Sequence, residues 1–95
     1  MDQRNHSLQV GQVVRALAGR DKDHLFVVVE VLEDDYVRIA DGAKRKIEAP
    51  KRKKSKHLQK YDLVIESIRE KFIEGEGPDN SLIRRELAGL RQGGA

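Results

Sequence analysis

The chain of 95 residues has no cysteine. That absence excludes a disulfide framework, a thiol nucleophile and any cysteine-ligated zinc. Tryptophan is also missing, and the aromatic residues are only Phe26, Tyr36, Tyr61 and Phe72. A protein that binds single strands by base stacking wants several exposed aromatics, so that mode is disfavoured, and Tyr36 and Tyr61 are read as edge packing. No apolar run approaches the roughly 20 residues of a membrane-spanning helix. Met1 to Ser7 is polar and carries no signal-peptide core. These features agree with a cytoplasmic address. His6, His24 and His57 lie far apart, and none has a second ligand at a metal-binding spacing. There is no phosphate-loop glycine pattern, Asp34 and Asp35 fall in a turn, and Ser55 has no sequence-evident general base, His57 being read as packing at the end of the basic loop. The expectation is a protein without catalysis, metal or small-molecule substrate.

What is present is unevenly distributed charge. The formal net charge is +3, yet Lys44 to Lys60 holds nine Lys/Arg against one Glu, a block of +8, which leaves −5 for the remainder. A block of one sign in an otherwise acidic chain points to a polyanion partner. The alternative is a solvated basic loop.

Periodicity divides the chain. Val10 to Leu17 reads as a first strand, rich in β-branched residues. Leu25 to Leu32 is the strongest strand, and Leu25, Val27, Val29 and Val31 are expected to face the core together with Val37 and Ile39. The alternate set, Phe26, Val28, Glu30 and Leu32, is largely apolar and is expected beneath another element. Glu33-Asp34-Asp35 is a hairpin turn before a third strand, Tyr36 to Ala40, and Asp41-Gly42 is a second turn. A short fourth strand is expected around Lys46 to Glu48, ending near Pro50. The basic run follows as a loop, and Lys56 to Lys60 returns as a fifth strand.

From Leu63 the apolar spacing changes to that of an amphipathic helix. Leu63, Val64, Ile65, Ile68, Phe72 and Ile73 carry it, with Asp62 as the expected N-cap and Gly75 as the residue past the C-cap. Gly75 to Pro78 is a linker. Asp79, Asn80 and Ser81 are candidate N-caps of a last helix with Ile83, Leu87 and Leu90 on one face, and Gly93 to Ala95 is expected to fray. From Tyr61 onwards the tail has seven acids against five bases, so packing on the sheet through Ile68 and Phe72 is its expected role. The fold class is mostly β, a small closed or nearly closed barrel with a helical appendage. Residues 1–9 form an N-terminal extension, 10–60 the barrel with a basic loop at 44–57, and 61–95 the tail.

One stretch carries a resemblance. Gly11-Gln12-Val13-Val14-Arg15-Ala16-Leu17-Ala18-Gly19-Arg20-Asp21-Lys22, followed by Phe26-Val27-Val28-Val29-Glu30-Val31, resembles a KOW motif. Val37 to Gly42 and Lys56-His57-Leu58-Gln59-Lys60-Tyr61-Asp62 sharpen the likeness. Together they resemble bacterial KOW-domain RNA-binding proteins related to a class of large-subunit ribosomal proteins of archaea and eukaryotes. Asp23 stands where many such motifs carry glycine. The resemblance implies an SH3-like barrel, RNA binding without catalysis, and no cofactor.

On this basis the expected RNA contacts are Lys51, Arg52, Lys53, Lys54 and Lys56. Arg20 and Lys22 of the turn, Lys44, Arg45 and Lys46 ahead of the run, and Arg15 and Arg38 on the strands flank them. Asp21 and Asp23 are read as ordinary turn polarity. The expected partner is RNA, ribosomal RNA by resemblance, with the ribosome or its proteins, met by a monomer acting in ribosome association or assembly. The competing expectation is a KOW-type protein-interaction adaptor of the transcription or translation machinery.

Overall fold

The computed structural model describes residues 8–93. Five strands form one antiparallel sheet: β1 (Gln12–Ala16), β2 (Leu25–Val31), β3 (Tyr36–Ala40), β4 (Lys51–Lys54) and β5 (Leu58–Val64), in the order β4-β3-β2-β1-β5. Two helices follow, α1 (Glu66–Ile73) and α2 (Asn80–Gly93). Most of the expected N-terminal extension, residues 1–7, and the end of the expected frayed C-terminus lie outside the described residues.

The sheet buries both its faces, each in a different way. Val14 and Ala16 of β1, Phe26 and Val28 of β2, Val37 and Ile39 of β3 and Leu58 of β5 form one cluster with Leu8. Among the described residues no helix side chain belongs to it, and Leu8, ahead of β1, packs into it with the strands. Val13, Val27, Val29 and Ala40 point the other way and meet Ile65, Ile68, Ile83 and Leu87. The expectation for β2 is thereby inverted. Phe26 and Val28 share the inner face with Val37 and Ile39, while Val27 and Val29 lie beneath the helices. The register pairs Val28 with Ile39 and slips by one residue before Glu30 pairs with Arg38, and this bulge re-phases the end of the strand.

The sheet is not a closed barrel. β4 and β5 occupy its two edges and do not pair. β4 has only four residues, and a 3₁₀ turn, Ser55–His57, carries the chain from it to the far side of β1. No strand occurs at Lys46 to Glu48, which is turn. The basic run expected as a loop is itself the fourth strand. Its hydrogen-bonding partner, β3, supplies the order that a run of lysines lacks by propensity.

The fifth strand is longer than expected and takes in Tyr61 to Val64. Asp62 therefore caps nothing, and α1 begins after Ile65. Pairing of Gln12 with Val64, and the bond from Ile65 N–H to the Gly11 carbonyl at 2.9 Å, hold this segment extended. The end of α1 is as expected: Gly75 lies at φ +90°, its N–H donates to Phe72 and that of Glu76 to Lys71, a Schellman ending. Asp79 caps α2 by accepting the Leu82 N–H at 2.9 Å, and Ile83 and Leu87 are buried as the spacing requires.

Two turns place functional side chains. Asp34 and Asp35 both adopt positive φ, +61° and +67°, the backbone of a two-residue hairpin. The Asp35 carbonyl accepts bonds from both the N–H and the hydroxyl of Ser55. This ties the β2–β3 turn to the end of β4. In the turn after β1, Asp23 lies at φ +72°, so it adopts the backbone conformation that glycine would supply there.

Candidate nucleic-acid interface

β4 is an edge strand made entirely of cations. Its register sets Lys51 opposite Ile39, Arg52 opposite Arg38, Lys53 opposite Val37 and Lys54 opposite Tyr36. Directly opposed residues share a face. Lys51 and Lys53 therefore stand on the inner face, where they are half-buried and their aliphatic stems can lie along apolar neighbours. Arg52 and Lys54 stand on the other face beside Tyr36. Lysine on an open edge also disfavours pairing with another sheet, which gives part of this charge a structural reason.

On that second face the Arg52 guanidinium carbon sits 3.7 Å from the Tyr36 ring centroid, and the Lys54 ammonium 5.3 Å from it. Tyr36 thus does more than pack at an edge, because its ring carries a cation. Alternation of Tyr36 with Arg38 signalled the exposed row, but its partner strand was not legible. Arg38 is held by Glu30 at 2.7 Å.

The inner side brings separate parts of the chain together. The Lys53 ammonium lies 3.7 Å from where a Cβ on Gly19 would be, so β4 and the turn after β1 are neighbours across the open side of the sheet. Arg20 and Lys22 are exposed on that turn. Asp21, between them, is not ordinary turn polarity. It is only 2% exposed, and its Oδ2 accepts from Arg45 Nε at 3.0 Å and lies 2.9 Å from Arg45 Nη2. Its Oδ1 is buried and lies 3.5 Å from Lys44 Nζ, an ion pair without a hydrogen bond. Burial alone would raise the Asp21 pKa. Hydrogen bonding and charge from Arg45, and then the charge of Lys44, outweigh it and hold the carboxyl below its ordinary value.

The expected contacts therefore divide. Arg15 is bound to Asp23 at 2.7 Å and to Gln59, Arg38 to Glu30, and Lys44 and Arg45 to Asp21. Among the described residues, Arg20, Lys22, Lys46, Lys51, Arg52, Lys53, Lys54 and Lys56 have no carboxylate within ion-pair distance. The 41–50 segment is fixed from the helical side as well. Asn80 accepts the Ile47 N–H at 2.8 Å and donates to Glu48, and Arg84 donates to the Gly42 carbonyl. The Asn80 hydrogen bond also lowers the Glu48 pKa.

No metal-capable group of three His, Asp or Glu side chains occurs among the described residues. No helix there is long and apolar enough to cross a membrane. Comparison with protein-family models and with curated proteins finds no match to this chain.

Proposed function

We propose that this chain is a non-catalytic RNA-binding protein that docks on structured RNA through its phosphate backbone, with ribosomal RNA as the target the KOW resemblance indicates. The observation that carries this reading is the approach of Lys53 to Gly19. It brings the inner-face cations of β4, Lys51 and Lys53, beside the turn bearing Arg20 and Lys22, although some thirty residues separate them in sequence, while Arg52 and Lys54 present the other face of the same edge. Carboxylates restrain the flanking Arg15, Arg38, Lys44 and Arg45, so the contact is centred on β4 with Arg20, Lys22 and Lys56 at its margin. The five-stranded sheet with β5 beside β1 supports an SH3-like description of the fold.

Phosphate neutralisation releases counterions. Five contacts give a slope of log affinity against log salt of about −4.5 on duplex and about −3.5 on single strands. The test is a salt titration of affinity for a ribosomal RNA fragment and for an unrelated RNA duplex. A steep slope with tighter binding to the ribosomal fragment supports the whole proposal. Equal slopes and affinities remove the ribosomal preference. A flat response overturns RNA binding, and the protein-adaptor reading then takes its place.

A further inference from the structure

We infer that Tyr36 and Arg52 form a platform for one unpaired nucleobase, in a loop or bulge of a structured RNA. The inference rests on the RNA-binding reading and adds a base contact to a phosphate contact. A guanidinium carbon 3.7 Å from the ring centroid is at the separation reached when the guanidinium lies flat on the ring. Arg52 is exposed, so its outer side is open to solvent. Guanidinium planes stack on bases and are more weakly hydrated than ammonium groups. The ring already holds Arg52 in place, so little side-chain freedom is left to lose when a base arrives.

The surroundings fit that role. Tyr36 is the first residue of β3, roughly 13 Å along the strand from Ala40, and Ala40 belongs to the cluster under the helices. The platform is therefore at the end of the sheet away from the helical layer. Its backbone is fixed from two directions, by the Leu32 N–H donating to the Tyr36 carbonyl at 2.9 Å and by Ser55 bonded to the Asp35 carbonyl. Arg38, the cross-strand neighbour of Arg52, is engaged by Glu30 at 2.7 Å and does not compete for the ring. Lys54 is close enough to meet the phosphate flanking a stacked base. A single platform accommodates one base. It does not amount to the array that tracks a single strand, so the preference is for a duplex interrupted by an unpaired nucleotide. A purine, with the larger π-face, is the favoured occupant.

The experiment uses the full chain and two RNA hairpins that differ only in one bulged 2-aminopurine. The wild type is expected to bind the bulged hairpin about 5- to 10-fold more tightly and to quench the 2-aminopurine fluorescence. Arg52→Lys, which keeps the charge and loses the plane, and Tyr36→Leu, which removes the ring, should abolish the preference and the quenching. Tyr36→Leu, which removes no cation, should leave the salt slope and the affinity for the fully paired hairpin unchanged. Tyr36→Phe should behave as wild type, separating loss of the ring from loss of the fold. Equal affinity of the wild type for both hairpins overturns the platform while leaving phosphate binding in place. Retention of the preference by Arg52→Lys also overturns it. Failure to bind either hairpin in a salt-dependent way overturns it together with the RNA-binding reading beneath it.

Discussion

Asp21 and Arg45 lock the turn after β1 to the loop between β3 and β4, with the buried carboxylate accepting from Arg45 Nε at 3.0 Å. Loss of that acid should loosen both segments. Asp21→Asn keeps the shape and discards the charge, and Asp21→Ala discards both. Arg45 is partly exposed and can turn to water, so a cost of about 1–3 kcal/mol is expected, not the larger penalty of a stranded buried ion. Urea unfolding should show a lower midpoint at unchanged slope.

The same pair predicts a pH dependence. The folded pKa of Asp21 lies below its ordinary value of 3.8. A depressed carboxylate pKa contributes stability that is present above the unfolded value and disappears as pH falls through the folded one. The contribution should be constant from neutral pH down to about 4 and be lost below it. Asp21→Asn should flatten that part of the stability curve, measured by urea midpoints across the acid range.

Burial of both faces of β2 gives a third prediction. Val28 faces the sheet's inner cluster, Val29 faces the helices, and both are buried. An unpaired carboxylate at either position costs several kcal/mol, a large part of the stability of a domain this small. Val28→Asp and Val29→Asp should both unfold the protein. Val31→Thr, on a residue that is 50% exposed, should stay within about 0.5 kcal/mol of wild type. Circular dichroism melts separate these outcomes, and a folded Val29→Asp protein would contradict the helix-covered face.

β2 also shows why its phase was not legible. Alternation identifies a strand by contrasting one wet face with one dry face. Phe26, Val27, Val28 and Val29 are all apolar because two different layers cover them, so the pattern marks the strand and leaves its orientation open. β4 failed for the opposite reason. Lys51 to Lys54 has no apolar residue, and only its partner Tyr36–Ala40 makes it a strand. Leu63 to Ile65 carried a helical spacing by coincidence, at the junction where β5 hands over to α1. Asp21 is an acid in a turn until Arg45, distant in sequence, is folded against it. The features that were legible are local: the β3 alternation, the glycine ending of α1, and the Ile83–Leu87 face of α2.

Gly42 supplies a fourth prediction. It lies at φ +82°, and a Cβ there would fall 2.4 Å from the Asn80 carbonyl oxygen. Gly42→Ala combines left-handed strain of about 1–2 kcal/mol with a clash against backbone at the start of α2. The helix has to shift, and the Arg84 bond to the Gly42 carbonyl is lost with it. Thermal unfolding should move to lower temperature, with earlier hydrogen exchange in α2 than in β1 and β2. An unchanged melt would show that α2 is not fixed through this contact.

The last prediction bears on the charge of β4. Because this run is a strand, reversing four charges would set carboxylates on the inner face beside Val37 and Ile39, and any loss of binding could then reflect a lost fold. Glutamine keeps the length of the stem and the hydrogen-bonding backbone while removing the charge. Replacing Lys51, Arg52, Lys53 and Lys54 together by Gln should leave the circular dichroism spectrum unchanged. Each cation removed from a phosphate makes the duplex salt slope shallower by about 0.9. If all four make such contacts, a slope near −4.5 should become roughly −0.9. Replacing Arg20 and Lys22 by Gln should change it by at most about 1.8. Replacing Arg15 and Arg38 should change it least, since Asp23 and Glu30 already hold those guanidiniums. The ordering separates a phosphate-binding strand from a merely soluble edge. A slope that responds as strongly to Arg15 and Arg38 as to β4 would mean that net charge, and not this surface, drives the binding.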